Sequence, residues 1–365
     1  MPIRRFNLFV IGAMFVGIAS SYAQFTAGNL AVTRVGDGST TLGGLGNSVS
    51  VLEYTTVGSL VNTFNFATSG ADAFLMTGNA TAEGALSRSS NNRFLTLAGY
   101  NTAPLGSGSL ASSTSAAVPR SVGQLDFGGS ISIPVKSTTA FSANSFRSTV
   151  SDGANNYWSL GVGTGVTYMG NVGSQATIET AQTTLRVMNI VAGSIFFTAA
   201  GGVFQIAGTP TSGTATPTAV ITTTGTGVGT SSSYDFAFNA GMTLAYVADD
   251  RTVANGGGIQ RWDFNGSAWV LSYTLSAGGS GARGLAVDFS GVSPVIFATT
   301  TEATNNRIIS IIDVGGASTS IDLATSGTLR AFRGLDFTPV PEPSTFVLIG
   351  LGLAGLIVVH RLRRQ

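Results

Sequence analysis

The chain contains no cysteine. Disulfides, thiolate metal sites and cysteine nucleophiles are therefore excluded together. Its single histidine is His360, which sits in an apolar C-terminal run and leaves the rest of the chain without an imidazole. A serine nucleophile would have no histidine to take its proton. Zinc sites built on His or Cys are excluded as well. Lys136 is the one lysine, and AGGSGARG around Ser280 lacks the glycine two residues after the serine that a nucleophile elbow requires. Charge is scarce too, at 10% of residues. Setting aside Arg4, Arg5, Arg361, Arg363, Arg364 and Glu342 leaves 13 basic against 16 acidic residues, a net of −3 for the central body. No basic patch points to nucleic acid as a partner.

What is present is β-forming sequence. Of 365 residues, 43% are hydrophobic, and the 22 Phe sit in short patterned runs separated by Gly, Ser and Thr. A disordered chain would need lower hydrophobicity. The stretch Tyr234 to Ser276 contains YDFAFNAGMTLAYVADD, GGGIQRWDF and AWVLSYTLS, with Asn265-Gly266 as a hairpin signal. Four strands in a meander make one propeller blade. A second unit runs from Arg283 to Ala324, and its Arg-Gly-Leu-Ala-Val-Asp-Phe returns as Arg333-Gly334-Leu335-Asp336-Phe337. Weaker units begin at Gly84, Phe146 and Leu185. Starts near residues 85, 147, 186, 235, 284 and 333 are spaced by about 40 to 60 residues, within the range of propeller repeats.

The expected fold is an all-β propeller of six blades, with seven as the alternative. NLAVTRVG, SVSVLEYT and VNTFNFA, between Asn29 and Ala67, would complete the last blade, so that first and last chain segments close one blade. A β-solenoid or a pair of β-sandwiches is the competing architecture. Asn-Gly turns and aromatic antiparallel runs argue against a solenoid. Gly106 to Ala117 and Thr209 to Ser233 read as surface connections.

The two ends carry address signals. Met1 to Ala23 has a basic start at Arg4 and Arg5, an apolar stretch from Phe9 to Ala19, and Ser21-Tyr22-Ala23 before Gln24. That is the layout of a secretory signal peptide cut between Ala23 and Gln24. At the other end, Val340-Pro341-Glu342-Pro343 is held extended by its prolines. Phe346 to Val359 is continuously apolar, short of the roughly 20 residues that span a bilayer comfortably. Arg361, Arg363 and Arg364 follow and would stay in the cytoplasm. Both ends then point inward and the body sits outside. The domain division is 1–23 signal peptide, 24–338 propeller body and 339–365 tail with one transmembrane helix.

The order Val-Pro-Glu-Pro-Ser-Thr, glycine-bearing apolar run and arginine-rich end resembles the PEP-CTERM sorting signal of Gram-negative bacteria. The resemblance covers Val340 to Gln365 alone, with His360 among the arginines as a small departure. It implies recognition by an exosortase, a membrane cysteine transpeptidase. Pro341, Glu342 and Pro343 would be the recognition residues, and Arg361, Arg363 and Arg364 the stop. It also implies export together with exopolysaccharide, and a tail anchored in the inner membrane until it is removed.

Candidate chemistry in the body is thin. A glycosidase needs two carboxylates about 5 to 10 Å apart, and Asp249, Asp250, Asp263 and Asp288 are the available acids. Each has an ordinary role as a turn or repeated strand-end residue. Asp37-Gly38-Ser39 and Asp249-Asp250 are oxygen-rich loops, but neither follows the calcium-loop order. Gly225 to Gly229 lacks the strand-to-helix context of a phosphate loop. Trp158, Trp262 and Trp269 could stack on sugars if exposed, and otherwise pack between blades. No catalytic residue, metal or cofactor is expected. The preferred reading is a non-enzymatic exported binding or structural module at the cell surface or in the extracellular matrix. Signal peptidase and the exosortase would process it, and exopolysaccharide is its expected partner. The alternative is a carboxylate-dependent glycan-processing enzyme whose two acids converge on one propeller face. A third reading is an envelope scaffold with no glycan contact.

Overall fold

The computed structural model describes residues 24–170 and 175–341. The signal peptide and the tail from residue 342 onward, with its expected helix, lie outside the described residues. Among the described residues no helix is long and apolar enough to cross a membrane.

The described residues form antiparallel β-sheet, with one short 3₁₀ turn at Val253–Asn255. Its first strands are β1 (Leu30–Val35), β2 (Asn47–Tyr54), β3 (Leu60–Asn65), β4 (Leu75–Met76), β5 (Leu86–Arg88), β6 (Phe94–Tyr100), β7 (Arg120–Asp126) and β8 (Ile131–Ser137). Four sheets of four strands follow. They are β9 (Phe146–Ser151), β10 (Tyr157–Gly161), β11 (Val166–Tyr168) and β12 (Ala176–Glu179); then β13 (Met188–Val191), β14 (Ser194–Ala199), β15 (Gly202–Ile206) and β16 (Thr218–Thr222). The third is β17 (Ser233–Phe238), β18 (Leu244–Asp249), β19 (Gly258–Phe264) and β20 (Trp269–Leu275). The fourth is β21 (Ala282–Asp288), β22 (Val295–Thr300), β23 (Arg307–Ile312) and β24 (Ile321–Thr325), and β25 (Ala331–Phe337) ends the body. Each of the four is a simple meander, the blade geometry read from Tyr234 to Ser276 and from Arg283 to Ala324.

The propeller-like arrangement therefore has four separate blades, and the six or seven expected is corrected to that number. The remaining strands form one nine-stranded sheet in the order β25-β1-β2-β4-β6-β7-β8, with β3 on β2 and β5 on β6. The cause is β4. Its two residues pair with Asn47 and Ser48 of β2, while Leu75 also faces Tyr100 of β6. That short bridge fuses the run β25-β1-β2-β3 to the run β5-β6-β7-β8. The chain ends meet inside this sheet, where Leu30 is opposite Phe337 and Val35 opposite Ala331. Thr209 to Ser233 also departs from expectation, because it contains β16 as an edge strand.

Repeat starts in the sequence fall on the strands that face the axis. β5 abuts β9, β9 abuts β13, β14 abuts β17, β17 abuts β21, β21 abuts β25, and β25 returns to β5. Two glycines let this ring close. A Cβ on Gly334 would lie 2.0 Å from the Leu86 backbone nitrogen, and one on Gly284 would lie 2.6 Å from the Arg333 carbonyl oxygen. The repeated Arg-Gly-Leu is thus an axial side chain, a backbone contact and a core residue in succession.

The core lies in layers between neighbouring sheets. Phe196, Val203 and Ile221 of one blade pack against Phe236, Val247 and Trp262 of the next. Leu30, Val32, Leu52 and Leu335 of the nine-stranded sheet meet Phe297 and Ile308 of the next blade in the same way. Each such side chain contributes about 1.5–3 kcal/mol on burial. The Asn265-Gly266 hairpin forms as expected. Gly266 has φ +96°, and the Asn265 Oδ1 accepts from the backbone N–H of Ser267 and Ala268.

Candidate binding site at the axis

Side chains alternate along a strand, so a short polar residue inside an apolar inner strand points either to a neighbouring sheet or to the axis. Asp235 in Tyr234-Asp235-Phe236 and Asp336 in Leu335-Asp336-Phe337 are such residues. Both line a cavity of about 350 Å³ at one end of the axis, together with Arg88, Ser89, Asn189 and Phe289.

The two carboxyls are built into the ring. Asp235 accepts from the backbone N–H of Phe236 at 2.9 Å and of Leu285, on the next inner strand, at 3.0 Å. Asp336 accepts from the backbone N–H of Phe337 at 2.7 Å and of Arg88, again on the next inner strand, at 2.8 Å. Ser148 plays the same part on β9, where its hydroxyl accepts from the Met188 N–H at 3.1 Å. Three inner strands thus tie to their neighbours through a short polar side chain. Burial pushes the Asp235 carboxyl well above the usual carboxylate range, and the nearby Asp336 charge adds to that push. Burial also raises Asp336, against the opposing pull of the Arg88 charge and the backbone N–H groups. Each carboxyl accepts hydrogen bonds, and donates one as well when it is protonated. With Asn189, Arg88 and Ser89 beside it, the cavity offers donors and acceptors in the mixture that sugar hydroxyls require.

The acids singled out from the sequence do not line this cavity. Asp249 is buried, pairs with Arg251 at 2.8 Å and accepts from the Ser232 N–H. Asp250 pairs with Arg283 at 3.3 Å. Asp263 pairs with Arg261 at 3.1 Å. Asp288 accepts from the Ser290 N–H in an exposed turn. Asp37 likewise accepts from the N–H groups of Ser39 and Thr40. Among the described residues no three His, Cys, Asp or Glu side chains gather as metal ligands. Gly225 to Gly229 is a loop against Asn255, where a Cβ on Gly227 would meet the Asn255 oxygen at 2.2 Å. Trp158 and Trp262 are buried, with the Trp158 Nε1 donating to the Pro210 carbonyl at 2.7 Å. Trp269 is half-buried between Phe238 and Phe264.

The signal that could have located Asp235 and Asp336 was in view. Asp235 sits at one repeat start and Asp336 three residues after another, each a lone acid flanked by aromatic or aliphatic residues.

At the C-terminal edge, Thr338 is buried and donates to the carbonyls of Asn29 and Thr26 through its N–H and hydroxyl. The Val340 N–H bonds to the Asn92 carbonyl at 2.8 Å, and Pro341 is exposed. Residues 339–364 match the PEP-CTERM protein-sorting motif. That motif implies processing by an exosortase, export, and a tail held in the membrane before processing. No curated protein matches the chain. Among solved structures, a nidogen/laminin complex is similar with a TM-score of 0.52 and 9% identity, covering 85% of this chain and 98% of that one. A putative 6-phosphogluconolactonase from Bacteroides fragilis has a TM-score of 0.45 and 12% identity, over 81% of each chain. The periplasmic gluconolactonase of Pseudomonas aeruginosa has a TM-score of 0.43 and 14% identity, over 80% of this chain and 82% of that one. At 9% identity the likeness to the nidogen/laminin complex speaks to fold alone.

Proposed function

We propose that this is an exported, exosortase-sorted protein of the cell surface or extracellular matrix. Its propeller is a non-catalytic binding or structural module that associates with exopolysaccharide through the wide axial cavity. The sorting motif at residues 339–364 carries the reading. The described residues support it: Val340 is tied to the Asn92 carbonyl and Pro341 is exposed, so the recognition step begins at an accessible residue. Signal peptidase removes residues 1–23, with the cut between Ala23 and Gln24. The tail then holds the body outside the inner membrane, with Arg361, Arg363 and Arg364 as the stop.

The test is retention of the mature protein on exopolysaccharide extracted from the producing cell. Arg88→Gln and Asn189→Ala should each weaken retention about tenfold, the loss expected for one polar contact. No retention of the wild type on any matrix fraction contradicts the proposal.

One observation favours the enzymatic alternative. Asp235 and Asp336 share a cavity and both have raised pKa values, as a general acid of a glycosidase does. That reading requires turnover of a polysaccharide, abolished by Asp336→Asn. Failure to degrade any member of a broad glycan panel removes it.

A further inference from the structure

The axis of the ring has a direction, because its inner strands all run the same way. Tyr234 of β17, Arg283 of β21 and Arg333 of β25 border a small cavity at one end of the axis. Phe238, Val287 and Phe337, further along the same three strands, border the wide cavity at the other end. The small-cavity end is covered. The segment from Thr77 to Ala85 lies across it, held by the Gly334 N–H bond to Gly84 at 2.9 Å and by the Arg333 Nη2 bond to the Gly78 carbonyl at 2.7 Å. A ligand therefore reaches the axis from the wide-cavity end.

The tail leaves the body at that same end. β25 finishes at Phe337 on the cavity wall, and Val340 donates to the carbonyl of Asn92, another wall residue, at 2.8 Å. The sorting motif implies a tail held in the membrane before processing. Its apolar run begins at Phe346, six residues beyond Val340. Six residues span at most about 22 Å, whatever path they follow. The rim of the wide cavity is thus kept within that distance of the lipid while the tail is in place. β25 has seven residues, which rise about 20 Å. Turning the covered end to the membrane would lift Val340 by that length and by the thickness of the covering segment, leaving the tether no slack.

We propose that the wide cavity faces the membrane before processing, and that removal of the tail is the step that opens it to extracellular polysaccharide. The polysaccharide half rests on the function proposed above, whereas the orientation rests on where the chain leaves the body. A polymer strand entering so narrow a gap loses the freedom of its flanking sugars, a cost that falls away once the body is cut loose.

The experiment uses the absence of cysteine, which makes an introduced thiol the single labelling site. Ser90 is exposed on the wall of the wide cavity, and Asn79 is exposed in the covering segment. Tail-bearing Ser90→Cys and Asn79→Cys proteins, purified from cells lacking the processing enzyme, are labelled with a donor dye. They are then placed in phosphatidylethanolamine and phosphatidylglycerol vesicles with acceptor dye on the headgroups. Energy transfer should be severalfold stronger from position 90 than from position 79. Equal transfer, or stronger transfer from position 79, overturns the orientation. In parallel, vesicle-held and mature proteins are passed over exopolysaccharide from the producing cell. The mature protein should be retained and the vesicle-held protein not. Equal retention of the two overturns the gating. Retention of neither removes the polysaccharide reading, while the orientation is decided by the energy transfer alone.

Discussion

Replacing Gly334 with alanine tests the ring closure directly. A Cβ there would sit 2.0 Å from the Leu86 backbone nitrogen and 2.7 Å from the Gly84 oxygen. Ordinary contacts between heavy atoms begin near ~3.5 Å, so β25 and β5 would have to part by about 1.5 Å. No flexible side chain can yield, because the opposing atoms are backbone. Overpacking of this kind costs about 1–3 kcal/mol. The same displacement strains two bonds across the seam, Gly334 N–H to Gly84 at 2.9 Å and Arg88 N–H to the Asp336 carboxylate at 2.8 Å. Their loss adds about 1 kcal/mol each. The expected destabilisation is therefore about 4 kcal/mol, or roughly 8 °C in melting temperature for a body of this size. Differential scanning calorimetry of Gly334→Ala beside Gly106→Ala is the assay. Gly106 has nothing within 4 Å of its would-be Cβ, so that variant should stay within about 1 kcal/mol of the wild type. Equal melting temperatures for the two variants would refute the close approach of the inner strands.

Further predictions concern charge and packing. Asp235 and Asp336 have raised pKa values, so the folded state binds more protons than the unfolded chain above about pH 4. The contribution of these two groups should fall as pH rises above about 4 toward their raised folded-state values. Asp235→Asn should flatten that limb in urea titrations, and an unchanged slope would contradict it. Below about pH 4 the trend reverses. Burial opposes ionisation of Asp313, but Tyr246, Tyr273 and Arg261 hold it below the usual range, and its contribution is lost on protonation. Asp313→Asn should cost about 2–3 kcal/mol by urea denaturation, because Arg261 at 2.9 Å and Tyr273 at 2.8 Å lose a buried acceptor charge. A loss under 0.5 kcal/mol would show the network to be decorative. Trp158→Ala should cost about 3–5 kcal/mol by the same assay, as for a large buried aromatic. Trp269→Ala should leave polysaccharide retention unchanged, and a lost retention would move the binding surface to the blade edge.

Much of the fold was legible because inner strands repeat the same chemistry. Arg283-Gly284-Leu285 and Arg333-Gly334-Leu335 repeat because the glycine must admit a neighbouring backbone and the leucine must fill the core. The blade count was not legible, since it turns on β4. Two residues, Leu75 and Met76, are too short to show any periodicity, yet they decide whether two strand runs are separate sheets or one. The acids drew attention to the wrong places for a related reason. Asp249-Asp250 is conspicuous as a pair but serves a turn and two arginines. Asp235 and Asp336 are single acids inside apolar strands, and only the ring of strands, formed by residues far apart in the chain, brings them to one cavity. Arg333 at the opposite end of the axis shares that origin. Arg333 gains its environment from Gly78, Gly84 and Tyr234, none of them near it in sequence.

The central proposal is that an exported, exosortase-sorted body is cut from its tail at the Pro341–Pro343 step. Mass spectrometry of the C-terminus of the mature protein, taken from surface and medium fractions, tests it most directly. The account predicts a chain that stops at or near Pro341 to Pro343, just beyond the tie of Val340 to Asn92. A mature protein that still ends at Gln365 would contradict it, leaving the tail as a membrane anchor and removing the basis for the exopolysaccharide association.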